Sequence, residues 1–342
     1  MIVILKTGTS PEDVERAERL LPTAHSVPGG RHVLVCEQSG NDDLVARAEA
    51  LDCVERVITG TGPLRLSSRG YQATKTAVDA GGVTIGGREF VVAAGPCAVE
   101  TAEQLDDVAT AVALSGARML RGGAYKPRSS PYSFQGLGVA GLELLAAQRE
   151  RTGLPVVTEV LDPGDVEVVA EHADMLQIGT RNMQNFTLLR EAGRSRLPVL
   201  LKRGMAATVE EWLLAAEYIL KEGNDQVVLC ERGIRTYETA TRFTLDLSAV
   251  LAVRQLSHLP VIVDPSHGSG RNHMVQPLTL AAAAVGADGV LIDVHTDAAT
   301  ALCDGAQALS GAEFDGLMAA LTPVLSAVDR PLGPRLHTLE QV

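Results

Sequence analysis

The sequence has few aromatic residues, no long apolar run and no excess of positive charge. Aromatic side chains make up 3% of the 342 residues, and no apolar run approaches the ~20 residues that a membrane-spanning helix needs. The N-terminus, MIVILKTGTSPED, lacks a signal-peptide pattern. The net charge of −12 argues against nucleic acid and against an anionic membrane as partners. We therefore expect neither partner.

Cysteine is also scarce, and its spacing forms no disulfide framework. The five cysteines are an odd number, at Cys36, Cys53, Cys97, Cys230 and Cys303. This usage predicts a reducing cytoplasm and no structural disulfides. For Cys303, which directly precedes Asp304, ordinary packing is the favoured interpretation, and a redox-sensitive role stays open.

What the chain has in abundance is short apolar runs that alternate with Ala/Leu-rich helical segments. Eight of these runs have a continuous apolar centre, as parallel strands buried on both faces should: 89–96, 118–123, 155–160, 174–179, 198–204, 226–233, 260–267 and 289–295. Eight strand–helix units in about 260 residues match a (β/α)8 TIM barrel. An open doubly wound sheet is the alternative, but no G-x-G-x-x-G follows the first strand. We predict an α/β fold with the barrel over residues 83–342.

The first 65 residues form a separate predicted unit. The order strand, helix, strand, strand, helix, strand, with AHSV (24–27) as a weak second strand, resembles a ferredoxin-like α+β domain. Residues 66–82 are the predicted linker, and the Gly86-Gly87 pair between two apolar runs predicts a hairpin. Residues 1–65 contain no group of catalytic residue types, so a structural appendage and a regulatory module both remain open.

One segment, RGGAYKPRSSPYSFQGLG (121–138), suits neither a core nor a helix. It places Arg121, Lys126 and Arg128 on a Gly- and Pro-rich loop beside several hydroxyl groups. A small phosphorylated anion is bound well by planar guanidinium groups and a compact ammonium group that a stiff backbone holds in place. The alternative is a solvated basic loop, which is less common directly after a buried strand. The segment therefore predicts a phosphate site.

Reactive side chains recur at the carboxyl ends of the predicted strands, which is the active face of such barrels. They include the cations Arg121, Lys126, Arg128, Arg181, Lys202, Arg203 and Arg232, and the carboxylates Glu159, Glu231, Asp264 and Asp293. Buried charges are costly unless they are paired or hold a ligand. The cations exceed the need of one phosphate, so we expect two anionic substrates, or one with both phosphate and carboxylate.

A mixed group of metal-ligand types is predicted at neighbouring strand ends. Cys97 follows the first strand, His267 the seventh, and Asp293 and Asp304 belong to the eighth unit. Strand eight pairs with strand one in a closed barrel, so these side chains can meet, and they would suit Mn, Fe, Co or Zn. The open alternatives are a small buried cysteine, a hydrogen-bonding histidine and two salt-bridged aspartates.

Seven sequence motifs together resemble one enzyme family. They are GPCAVE (95–100), LRGGAYKPRSSPYSFQGLG (120–138), IGTRNMQN (178–185), LLKRG (200–204), LCERGIRT (229–236), DPSHGSGR (264–271) and DVH with CDG (293–305). They resemble the 3-deoxy-D-arabino-heptulosonate 7-phosphate (DAHP) synthases, in the form with an N-terminal ferredoxin-like regulatory domain. The KPRSS loop separates this family from the related 3-deoxy-D-manno-octulosonate 8-phosphate synthases.

The resemblance implies an activity and a role for each candidate residue. The activity is the condensation of phosphoenolpyruvate with erythrose 4-phosphate, the first step of the shikimate pathway. The implied metal ligands are Cys97, His267, Asp293 and Asp304, the phosphoenolpyruvate site is Arg121, Lys126, Arg181, Lys202 and Arg232, and the aldose phosphate site is Arg128 and Ser129. Lys126, Cys97 and His267 are the catalytic candidates, with Lys126 as proton donor. The resemblance also implies a homotetramer inhibited by an aromatic amino acid.

One departure from the family pattern leaves other functions open. Asp293 stands where the family usually has Glu, and the shorter side chain predicts weaker metal binding or a changed metal preference. The alternatives are the eight-carbon synthase using arabinose 5-phosphate, a catalytically impaired paralogue, and a specialised enzyme that takes a modified aldose phosphate.

Overall fold

The computed structural model describes residues 1–21, 24–27, 32–36, 42–60, 62–128 and 130–334. Among these residues, no helix combines the length and the apolar character that crossing a bilayer requires. The predicted site residue Ser129 lies outside the described residues.

The N-terminal residues form a small antiparallel sheet with two helices. Its elements are β1 (Ile2–Leu5), α1 (Pro11–Leu20), β2 (Ala24–Val27), β3 (Val33–Cys36), α2 (Asp42–Glu49) and β4 (Val54–Ile58). The sheet order is β2-β3-β1-β4, with antiparallel neighbours, which is the order of a ferredoxin-like split βαβ unit. The weak strand AHSV is therefore confirmed. Helix α1 begins where Ser10 Oγ accepts a hydrogen bond from the Asp13 N–H and Pro11 presets the first turn.

A β-hairpin follows, with strands β5 (Val78–Ala80) and β6 (Val83–Ile85). Its turn is Gly81-Gly82, and both glycines have positive φ (58° and 85°), as a two-residue type I′ turn requires. The prediction of a hairpin turn at Gly86-Gly87 is wrong, because this pair leads out of the hairpin. The hairpin's apolar side chains are buried with barrel residues such as Met119 and Met175, so it fills one end of the barrel interior.

Eight parallel strands then close into a barrel, as predicted. The strands are β7 (Val91–Gly95), β8 (Met119–Arg121), β9 (Val156–Val160), β10 (Met175–Ile178), β11 (Val199–Lys202), β12 (Val227–Glu231), β13 (Val261–Val263) and β14 (Gly289–Asp293). The helices are α3 (Ala102–Leu114), α4 (Val139–Thr152), α5 (Val166–His172), α6 (Phe186–Arg194), α7 (Val209–Lys221), α8 (Ser248–Leu256), α9 (Pro265–Ser269), α10 (Asn272–Ala284) and α11 (Gly311–Ala327). The barrel closes where β14 pairs with β7, with Asp293 opposite Gly95.

The N-terminal sheet shares a hydrophobic core with the barrel. Strand β1 is buried on both faces: Val3 and Leu5 pack within the small domain, whereas Ile2 and Ile4 join the core cluster that contains the barrel helices. The uninterrupted apolar run at the N-terminus follows from this burial, because neither face of the strand meets water.

The segment after the small domain is bound to the barrel through its backbone. The Glu217 carboxylate on α7 accepts hydrogen bonds from the backbone N–H groups of Arg65, Leu66 and Ser67, at 2.7, 3.0 and 2.9 Å. The buried ring of His258 lies 2.7 Å from both the Leu66 carbonyl and Thr76 Oγ1. These contacts fix the connection along the barrel surface. The domain boundaries at 65 and 82 stay a prediction.

Candidate active site

A cavity of about 290 Å³ opens at the carboxyl ends of the barrel strands. Seven cations line it: Arg121, Lys126, Arg128, Arg181, Lys202, Arg232 and Arg242. The first six are the basic residues that the sequence analysis assigned to substrates, and the structure brings them all together. Arg242 lies in the loop between β12 and α8, and the sequence analysis does not include it among the substrate-binding residues. Its only signal in the sequence is its position after a strand end.

Arg203, by contrast, turns away from this cavity. Its NH1 donates to the buried Glu231 carboxylate and to Asp246, at 2.9 Å each. Arg203 and Glu231 both stand at strand ends, but they neutralise each other and hold the loop that follows. Strand-end position alone therefore does not separate ligand-binding cations from structural ion pairs.

Two of the guanidinium groups that line the cavity are buried, and each has a nitrogen without a hydrogen-bond partner among the described residues. Within the part of the chain that the structure describes, Arg121 Nε and Arg232 NH1 have no hydrogen-bond partner, although their residues are only 3% and 6% exposed. Burial lowers the pKa of Arg232, whose guanidinium lies 4.1 Å from the centre of the Phe243 ring. An unpaired buried donor is costly, so these groups are arranged for a bound anion.

Lys126 lines the cavity and reaches Cys97, two residues after β7. Its Nζ donates to the Cys97 carbonyl at 3.0 Å and to Cys97 Sγ at 3.2 Å. Gly123 makes this path possible, because a Cβ there would lie 2.7 Å from Lys126 Cδ. Burial acts to lower the pKa of Lys126, but its electrostatic interactions with Cys97 and Glu159 outweigh burial and the pKa is raised. The side chain is therefore an ammonium group at neutral pH and has a proton to donate.

His267 is oriented by a buried carboxylate that the sequence analysis placed at a strand end without a role. Asp264 Oδ1 accepts the His267 backbone N–H at 2.9 Å and so caps α9. Asp264 Oδ2 lies 2.9 Å from His267 Nδ1 and 2.6 Å from Lys202 Nζ. With Nδ1 held by Asp264, we assign Nε2 as the ring nitrogen that faces the cavity.

The charges around His267 set its protonation. Burial acts to lower its pKa, but the carboxylates of Asp264 and Asp293 raise it to about 10. A divalent ion would have to displace a proton from this imidazole, so metal binding is expected to strengthen as the pH rises.

The predicted metal ligands meet around Cys97. Two groups of ligand atoms each lie within 4.8 Å of one another: Cys97 with His267 and Asp293, and Cys97 with Cys303 and Asp304. Thiolate, imidazole and carboxylate donors together fit a borderline divalent ion such as Zn, Co, Fe or Mn. Sequence reasoning missed Cys303 as a member of this cluster; its only signal was its place next to Asp304.

The two aspartates differ in their surroundings. Asp293 forms a buried ion pair with Arg121, and its Oδ2 accepts a hydrogen bond from Gln307 Nε2 at 2.6 Å. Asp304 Oδ2 instead lies 3.3 Å from Cys97 Sγ and 3.6 Å from His267 Nε2. Burial opposes its ionisation, but His267 and then Arg242 hold the pKa of Asp304 far below its usual range. Asp304 is therefore an ionised carboxylate beside the thiol and the imidazole.

The closed parallel barrel, with anion-binding and metal-binding groups at the carboxyl ends of its strands, defines a TIM-barrel enzyme that handles phosphorylated substrates. The comparison with protein families makes this specific. The family model for the DAHP synthetase I family matches residues 71–327 of this chain. The chain therefore belongs to that family.

Known relatives agree with this assignment. The phospho-2-dehydro-3-deoxyheptonate aldolase of Thermotoga maritima is 47% identical over 333 residues, which are 96% of this chain and 98% of that protein. The crystal structure of the Thermotoga maritima enzyme, titled DAHP synthase, covers 97% of this chain and 99% of its own, with a TM-score of 0.79 and 46% identity. A 2-dehydro-3-deoxyphosphooctonate aldolase of Syntrophotalea carbinolica is 32% identical over 66% of this chain and 88% of its own.

Proposed function

We propose that this protein is a DAHP synthase, which condenses phosphoenolpyruvate with erythrose 4-phosphate and releases inorganic phosphate. The observation that carries the proposal is the concentration of seven cations on one cavity, in a chain with a net charge of −12. The two substrates together bring two phosphates and one carboxylate, which matches this surplus of donors.

The proposed division of the cavity follows the strand ends. Phosphoenolpyruvate is bound by Arg121, Lys126, Arg181, Lys202 and Arg232, and the aldose phosphate by Arg128 and Ser129. Cys97, His267 and Asp304 would hold the metal, and Asp293 is the fourth ligand that the family resemblance implies. A divalent ion bound there supplies Lewis acidity toward the aldehyde oxygen of erythrose 4-phosphate.

The reaction balances with water as the third reactant. Carbon C3 of phosphoenolpyruvate forms a bond to the aldehyde carbon of erythrose 4-phosphate, and water adds at C2. Cleavage of the C2–O bond then releases phosphate and leaves the ketone. The cations hold both substrates in reactive geometry, and Lys126 Nζ donates a proton to the aldehyde oxygen as it becomes a hydroxyl group.

Metal removal and aldose exchange test this function. After treatment with a chelator, the protein is expected to stop consuming phosphoenolpyruvate in the presence of erythrose 4-phosphate, and Mn²⁺ or Zn²⁺ is expected to restore it. Loss of phosphoenolpyruvate absorbance and release of phosphate are measured together. Arabinose 5-phosphate in place of erythrose 4-phosphate is the control, since faster turnover with it would favour the eight-carbon synthase. No consumption of phosphoenolpyruvate with any divalent metal would contradict the proposal.

The N-terminal domain is proposed to carry feedback inhibition by an aromatic amino acid in a homotetramer. Among the described residues, all those that line the cavity fall between 121 and 304, so no described side chain of the domain reaches it. A truncated form of the Thermotoga maritima enzyme covers 80% of this chain, with 46% identity and a TM-score of 0.75, which supports a barrel that folds alone. The compartment we propose is the cytoplasm, where the five thiols stay reduced.

Deleting residues 1–65 is expected to keep the activity and abolish the inhibition. The anchor of Leu66 and Ser67 on Glu217 remains in the truncated chain. Inhibition by phenylalanine, tyrosine and tryptophan is measured for the full chain and the truncated chain at equal substrate concentrations. An inhibited truncated chain, or a full chain that none of the three inhibits, would refute the regulatory role.

A further inference from the structure

We propose that Cys303 is a ligand of the active-site metal, so that two thiolates rather than one bind the ion. The inference rests on the proposed metal-dependent function and adds a residue that the family resemblance did not include. Its basis is the arrangement of Cys97, His267, Cys303 and Asp304.

The sulfur of Cys303 lies within 4.8 Å of the ligand atoms of Cys97 and Asp304, and these two residues in turn lie near His267. Cys97 Sγ lies 3.6 Å from Cys303 Sγ, 3.7 Å from His267 Nε2 and 3.3 Å from Asp304 Oδ2. Asp304 Oδ2 lies 3.6 Å from both Cys303 Sγ and His267 Nε2. Two sulfurs bound at ~2.3 Å to a tetrahedral zinc ion are roughly 3.8 Å apart, close to the observed separation of the two thiols.

Asp293 is the competitor for this place, and its carboxylate is already engaged. One oxygen is paired with Arg121 and the other accepts the Gln307 side-chain N–H. Asp293 Oδ2 lies 3.6 Å from His267 Nδ1, the ring nitrogen that Asp264 holds, whereas Cys97 and Asp304 are near Nε2. Both oxygens of Asp293 therefore already have partners, whereas Cys303 supplies a further donor 3.6 Å from Asp304 Oδ2.

The charges of the cluster support two thiolates. Each of the three donors lies beside a cation: Lys126 Nζ is 3.2 Å from Cys97 Sγ, Arg128 NH1 is 2.7 Å from Cys303 Sγ, and Arg242 NH1 is 3.0 Å from Asp304 Oδ1. These donors would bring three negative charges to a divalent ion, and the neighbouring cations offset the excess.

The backbone conformation around Cys303 places its side chain in the lining of the cavity. Asp304 adopts a left-handed conformation, with φ of 55°, which is unfavourable for most residues but more tolerated by aspartate. The turn brings the side chains of two consecutive residues to the same cluster. Cys303 is 4% exposed and packs with Ala98 and Phe134, so the sulfur is shielded from bulk water.

A second thiolate makes the site softer, and thiolate ligands favour zinc over manganese. The test uses the full-length reduced protein loaded with Co²⁺, whose thiolate-to-cobalt absorption in the near ultraviolet grows with the number of bound sulfurs. We expect Cys303→Ser to lose about half of this absorption, because one of two Co–S bonds is removed. Cys53→Ser, in the turn directly before β4, is the matched control and is expected to keep all of it.

Zinc X-ray absorption on the unmodified protein keeps the test independent of any variant's folding. Two sulfur neighbours at ~2.3 Å are expected, and a single sulfur would overturn the proposal. Full cobalt absorption in Cys303→Ser would overturn it as well, and weaker cobalt binding in Asp293→Asn would then identify Asp293 as the ligand. The same preparation is assayed with phosphoenolpyruvate and erythrose 4-phosphate. Turnover with one bound sulfur refutes only this inference, whereas two bound sulfurs without turnover refute only the proposed reaction.

Discussion

Replacing Lys126 by methionine is expected to lower kcat by about 10²- to 10⁴-fold, the usual contribution of a positioned proton donor. Lys126 keeps its proton at neutral pH because its electrostatic interactions with Cys97 and Glu159 raise its pKa. Methionine has a similar length and fills the same space, but it has neither charge nor proton. The measurement is steady-state turnover at saturating concentrations of both substrates.

The size of the effect on kcat relative to KM separates proton donation from binding. If Lys126 only holds phosphoenolpyruvate, the variant will show a raised KM and nearly normal kcat at saturation, and the proton-donor role is wrong. Lys221→Met, at an exposed position at the end of α7, is the matched control and is expected to leave both constants unchanged. The cobalt absorption of Lys126→Met shows whether the metal cluster survives the change.

Replacing Asp264 by asparagine is expected to weaken metal binding by about 10- to 100-fold, the typical effect of removing a group that orients a metal-binding histidine. Asp264 is fully buried and contacts both His267 Nδ1 and Lys202 Nζ. Asparagine retains the shape but not the charge, so Lys202 is left buried without its counterion. The free energy of unfolding should therefore also fall, by about 3–5 kcal/mol. Zinc affinity and denaturant unfolding measure the two effects.

Asp288→Asn separates the loss of a buried charge from the loss of metal orientation. Asp288 is also buried, and it pairs with Lys75 at 2.6 Å and with Arg330 at 3.2 Å, but it precedes β14 at the opposite end of the barrel from the cavity. We expect this variant to lose stability and to keep its zinc affinity. Equal losses of zinc affinity in both variants would mean that Asp264 acts through stability and does not orient His267.

The sequence by itself determined the barrel and the face that carries the site. The eight apolar runs became the eight parallel strands because a strand buried on both faces must be apolar along its whole length. Cations at the ends of those runs meet in one cavity because parallel strands bring their carboxyl ends to the same rim. The ferredoxin-like order of the small domain was also predictable, since its alternation of strands and helices is local.

Only the tertiary structure decided which side chains pair with each other at that rim. Arg203 and Arg232 occupy similar strand-end positions, but Arg203 is neutralised by Glu231 and Asp246, while Arg232 keeps an unpartnered NH1 among the described residues. Cys303 likewise became a candidate ligand only through its distance to Cys97. Strand and helix patterns depend on the burial of each residue's own segment, whereas ion pairs and metal clusters depend on angstrom-scale distances between segments far apart in the chain.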